Sequence, residues 1–156
     1  MTAKENKGVP YFGGICGGVS KAKSFTSCTN SGAITFNATN CTANTYFGGI
    51  LGYASVAVTL ESCSNSGAIT YNPTTMTGTT NIGGIVSTSS VVHTVNNCFN
   101  AGAITLKKGT YSGAIYLGGA IGYANYNQTE GTGGFHNCYN KGAITLEDGM
   151  SVTANI

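Results

Sequence analysis

The sequence predicts an all-β fold, a parallel β-helix (β-solenoid) of about four coils with ~35 residues in each. Three observations predict it. A double glycine recurs at Gly13, Gly48, Gly83 and Gly118, each time 35 residues on. A second phrase, Cys-x-Asn-x-Gly-Ala-Ile-Thr, closes at Thr35, Thr70, Thr105 and Thr145. Finally, Ala33-Ile34-Thr35-Phe36 alternates strictly, with Ile34 and Phe36 on one face, which is the period of a strand. Units repeating at this length bury their apolar faces only by stacking on one another.

The first strand of each copy leads into the glycine pair. Its apolar columns read Phe12, Phe47, Ile82, Leu117 and then Ile15, Ile50, Ile85, Ala120. Phe12 and Ile15 have opposite parity, so a bend at the glycines must turn both inward. The second strand approaches the shared cysteine through Phe25, Leu60, Val95 and Phe135. A corner is expected at Asn30, Asn65, Asn100 and Asn140, each two residues before a glycine, because Asn and Gly tolerate left-handed backbone angles. The third strand carries Ile34, Ile69, Ile104, Ile144 and then Phe36, Tyr71, Leu106, Leu146. Three strands and three corners make one coil, with ~4.8 Å between successive coils. The asparagines then stack as a hydrogen-bonded ladder. Cys28, Cys63, Cys98 and Cys138 stack as buried thiols, and Cys16 shares an apolar column with Leu51, Val86 and Ile121. Cys41 lies outside these columns, in a turn-like stretch. The competing architecture is a propeller with one antiparallel blade per copy, whose blades need ~40–45 residues.

Residues 1–156 are read as a single solenoid domain, with copies at 11–45, 46–80, 81–115 and 116–155. The fourth is longer: Gly118 to Cys138 spans 20 residues, against 15 from Gly13 to Cys28. The surplus falls between Asn125 and Gly134 and is expected to bulge as a corner loop, either a tolerated insertion or a binding element. Tyr123, Asn125, Tyr126, Asn127 and Gln128 are its candidate contact residues. The longer final period ends on Ile156, where a fifth copy would start, so the chain reads as part of a longer array whose open ends stack on copies of itself. Met1 to Lys7 lacks the apolar core of a signal peptide, consistent with a removed leader or an excerpt.

Composition removes several function classes. Only 8% of residues are charged, there is no arginine, and no basic run exceeds Lys107-Lys108, which argues against nucleic acid. No apolar run approaches the ~20 residues of a membrane span. The acids are Glu5, Glu61, Glu130, Glu147 and Asp148, and only the last two adjoin. Glycoside hydrolysis needs carboxylates paired across about 5–10 Å, so no enzyme is expected. With no Cys-x-x-Cys and no Cys/His cluster, neither a metal nor a cofactor is expected. His93 and His136 occupy different columns and read as solvated. Tyr46, Tyr53, Tyr116, Tyr123, Tyr126 and Tyr139 either stack on sugars or pack on one another. The threonines ending each copy make one file, whereas an ice-binding face wants two.

Tyr46-Phe47-Gly48-Gly49-Ile50-Leu51-Gly52-Tyr53 and Asn137-Cys138-Tyr139-Asn140-Lys141-Gly142 resemble the GLUG-motif repeats of bacterial surface proteins, a likeness covering residues 11–146. The third copy departs from it, since Asn81 to Thr88 lacks both the leading Tyr and the closing Gly-Tyr. The resemblance implies an extracellular or cell-surface setting, as in large adhesins or in stalks beside immunoglobulin A-specific metallopeptidases. It implies a structural or adhesive role whose partners are copies of the chain or a host glycan or protein. It brings no catalytic residue with it.

Overall fold

The computed structural model describes residues 2–6, 8–89, 91, 93–124, 133–148 and 154–155, with the backbone alone at 2–6 and 154–155. The chain is a parallel β-solenoid, and every strand pairing among the described residues is parallel, which excludes the antiparallel blade. From Gly13 to Gly118 it completes three turns of 35 residues, so the four copies lie as four successive layers.

Each layer contributes to five sheets rather than to three. In the second layer the strands are Thr45–Gly48, Leu51–Ala54, Thr59–Glu61, Ser64–Asn65 and Ile69–Met76. The glycine pair splits the first expected strand in two. A Cβ at Gly48 would lie 1.9 Å from the Leu51 carbonyl oxygen, and one at Gly49 would lie 2.0 Å from that of Gly84. Only glycine permits so tight a reversal.

The expected corner follows each asparagine, as a bend at Gly32, Gly67, Gly102 and Gly142, but it needs no left-handed angle. The left-handed residues lie at a second break, just before each cysteine: Ser27, Ser62, Asn97 and Asn137, with φ of 52°, 55°, 52° and 52°. The asparagines at 30, 65, 100 and 140 end the short fourth strands, stacked in register.

The bend gives the coil two cores. Phe47 turns into one with Phe36, Ile69, Tyr71, Met76 and Ile82. Ile50 and Leu51, just past the glycines, turn into the other with Leu60, Cys63, Val95 and Cys98. Burying each Phe, Ile or Leu contributes ~1.5–3 kcal/mol. Ile15 is 44% exposed, whereas Ile50 and Ile85 are fully buried between layers.

Between the cores stands an asparagine ladder. Asn30 Nδ2 donates to Asn65 Oδ1, Asn65 to Asn100 and Asn100 to Asn140, each at 2.7 Å. The same Nδ2 of Asn65 also donates to the Gly67 carbonyl at 2.9 Å. Across the waist, a Cβ on Gly49 would come within 2.5 Å of Asn65 Cγ.

Two details lie beyond what the repeat predicts. Thr2–Asn6 forms a strand pairing with Asn37 to Cys41, so a layer begins before the first copy. At the other end Asn155, not Ile156, pairs with Tyr116.

Asn65→Asp tests the waist. It places carboxylate oxygens against the Asn100 and Gly67 acceptors, and about 3–5 kcal/mol of stability is expected to be lost at neutral pH. Burial raises the new carboxyl's pKa, so the deficit shrinks as pH falls toward ~4 and the protonated acid donates again. Urea melts at several pH values read this directly; a pH-independent deficit contradicts it.

Candidate functional site

The tyrosines, the threonine file and the titratable groups are where the described surface could carry chemistry. The glycine bend brings residues from its two arms together on the outside. Tyr46 and Tyr53 meet with ring centroids 5.1 Å apart, and Tyr116 and Tyr123 at 4.4 Å. Tyr53 also stacks on Tyr11 at 4.8 Å. The third layer carries Asn81 and Thr88 at these positions, both buried between the tyrosines of the adjoining layers. Faces that stack on one another are withdrawn from a ligand, so most of this group closes the bend. Tyr46 illustrates this, because burial pushes its hydroxyl pKa up.

Tyr139 is placed differently. It is 46% exposed and lies parallel to Phe99, with centroids 5.2 Å apart and planes inclined by only 6°. Lys141 Nζ stands 5.3 Å from its ring centroid. Two residues before each ring in sequence, Asn137 Nδ2 donates to Asn97 Oδ1 at 3.2 Å and Asn97 Nδ2 to Glu61 Oε1 at 2.7 Å. The Asn97 bond holds the Glu61 carboxyl below the usual range. Phe99 and Asn97 were not singled out from the sequence. The signal was available: this column reads Thr29, Ser64, Phe99, Tyr139, turning from small hydroxyls to aromatics.

Of the loop candidates, Tyr123 packs on Tyr116, whereas Asn125, Tyr126, Asn127 and Gln128 lie outside the described residues. The threonines form one register-aligned outward file, Thr35, Thr70, Thr105 and Thr145.

Among the described residues no three His, Cys, Asp or Glu side chains are grouped to hold a metal ion. Glu147 pairs with Lys107 and accepts from the Lys108 amide at 2.9 Å, which lowers its pKa. His93 is fully buried rather than solvated, its Nδ1 accepting from the Val58 amide at 3.4 Å, while His136 is exposed. All six cysteines are thiols. Cys98 Sγ accepts from the Cys63 amide at 3.3 Å, and burial pushes the Cys98 thiol up to about 12 and raises that of Cys63. In the other core, burial likewise keeps Tyr71 protonated within a cluster of Thr45, Thr80 and Met76.

Comparison of the chain with protein-family models, with curated proteins and with solved structures gives no match.

Because alkylation needs the thiolate, Cys63 and Cys98 are expected to resist iodoacetamide at pH 8 in the native protein and to react in denaturant. Peptide mass spectrometry reads the outcome; native labelling at Cys98 contradicts it.

Proposed function

We propose that this chain is a non-catalytic structural repeat module displayed outside a bacterial cell, serving as a stalk or adhesive rod. One observation carries the reading: the repeated residues are used up in joining layer to layer. Glycine pairs form the bend, asparagines the ladder, and isoleucines, phenylalanines and cysteines the two cores. Such a design extends a rigid body by identical steps and places nothing reactive in the repeat itself.

The extracellular and bacterial setting rests on the resemblance to GLUG-motif repeats carried by Tyr46 to Tyr53 and Asn137 to Gly142. The ladder also has a direction. Asn140 Nδ2 donates to its own Gly142 carbonyl at 2.8 Å, and Asn30 Oδ1 accepts from its own Gly32 amide at 3.1 Å. Each atom retains capacity for one more bond of the kind seen between layers. A further coil, from the same polypeptide or from another copy, would continue the ladder in register, and end-to-end association of copies follows from the same geometry.

Antibodies raised against the folded chain test the setting. They are expected to label intact cells of the source bacterium, and labelling confined to lysed cells would overturn surface display. Sedimentation velocity tests association: the sedimentation coefficient is expected to rise with concentration, and a concentration-independent monomer argues against it.

A further inference from the structure

We propose that the first strand, Thr2–Asn6, gates head-to-tail association: it holds part of the track on which a second copy of this chain docks, and docking requires its release. The inference rests on the end-to-end reading above and adds what controls it.

The occupant follows from what the two ends expose. Among the described residues, Tyr11–Gly13, Cys16–Val19, Ser24–Thr26 and Thr29–Asn30 pair on one side only. So do Ile121–Ala124, Gly134–His136, Tyr139–Asn140 and Ile144–Leu146 in the fourth layer. The strongly exposed large apolar side chains described, Val9, Tyr11, Ile15 and Tyr139, all stand at these two ends. Apolar surface and unpaired strand edges confined to the ends of a solenoid mark contacts between solenoids. A second copy fits without adjustment. Its first layer, set on the fourth, puts Cys16 over Ile121, Phe25 over Phe135 and Asn30 over Asn140, the columns that already join layers inside the chain. The contact is heterologous, so it propagates into a rod rather than closing as a dimer.

The obstacle is equally definite. Thr2 pairs with Asn37, in the column that Asn72, Lys107 and Glu147 continue. Tyr11 stands in the column of Tyr46, Asn81, Tyr116 and Asn155. When a first layer is set on a fourth, Thr2 of the incoming copy claims the place of Glu147, and its Tyr11 that of Asn155. Two segments compete for one stretch of coil. Glu147 is clamped by Lys107 and the Lys108 amide, whereas Thr2–Asn6 has a strand neighbour on one side alone. The first strand is therefore the segment that yields there. Tyr11 is held by stacking on Tyr53, so at the second overlap Asn155 gives way. Because residues 7–10 tether the first strand beside its place, it competes at the high effective concentration of a short linker and holds association in check until freed.

The gate is tested in the full chain. Thr2→Cys with Asn37→Cys puts thiols at register partners whose backbones lie ~4.8 Å apart, within the span of a disulfide. Glutathione disulfide closes this staple and locks the strand; dithiothreitol opens it. Ala3→Pro with Lys4→Pro frees the strand instead, since adjacent amides point to opposite sides and one proline must remove a paired N–H. Both variants are checked for the parent's far-ultraviolet circular dichroism. In sedimentation velocity the reduced staple variant is expected to associate as the parent does, and the oxidised form to stay monomeric. The double-proline variant is expected to associate at about tenfold lower concentration. An oxidised form that associates like its reduced form overturns the gate, as does a double-proline variant that associates no more readily than the parent. If the parent associates and neither change alters it, the end-to-end reading stands without the gate; if every form stays monomeric, both fall.

Discussion

The asparagine ladder and the glycine bend constrain each other, and the rest of the coil is arranged around that contact. Asn65 gives its amide hydrogens to the Gly67 carbonyl and to Asn100 Oδ1, at 2.9 and 2.7 Å. It is fully buried, so no water stands in for a lost partner, and an unmade bond there would cost about 1–3 kcal/mol. Bonds of this length form only when successive asparagines are in register. Opposite them, the glycine pair must come close enough that a Cβ on Gly49 would overlap Asn65. The in-register asparagines and the second glycine of each pair follow from one steric and hydrogen-bonding requirement, which holds even across the 40-residue step from Asn100 to Asn140.

Pinching the coil at this point has consequences on both sides. Inside, it separates an aromatic core around Phe36, Phe47 and Tyr71 from an aliphatic and thiol core around Leu51, Leu60 and Cys98. Outside, the two arms of the bend carry tyrosines that stack on one another. The third layer departs here without loosening, since Asn81 and Thr88 are buried between neighbouring tyrosines. Solenoids absorb local substitutions in this way because each layer needs only its two neighbours.

The period and the Ala-Ile-Thr alternation were enough to read the parallel solenoid, because register in a stacked coil is written directly as sequence spacing. The corner follows each asparagine as the Asn-x-Gly spacing implies, but the left-handed angles belong to the break before the cysteine. Two of those four residues are Ser27 and Ser62, which carry no left-handed preference, so the sequence does not mark them. The five-strand coil was hidden because a two-residue strand such as Ser64–Asn65 is too short to show alternation. His93 reads as solvated by default, since it shares no column with His136; the fold instead places it on Val58, whose amide donates to its Nδ1, and buries it. The aromatic pair at Phe99 and Tyr139 stands one position past the shared cysteines, so the repeat alignment already holds it as a column.

Side-chain amide hydrogen exchange gives the most direct test of the ladder as the organising contact. The Nδ2 protons of Asn65 and Asn100 are expected to exchange only through global unfolding. The exposed Asn72, which makes a similar 2.8 Å bond to Asn37 on the outer face, serves as the internal reference and should exchange fast. If Asn65 and Asn100 exchange as fast as Asn72, the ladder is not what holds the coils in register.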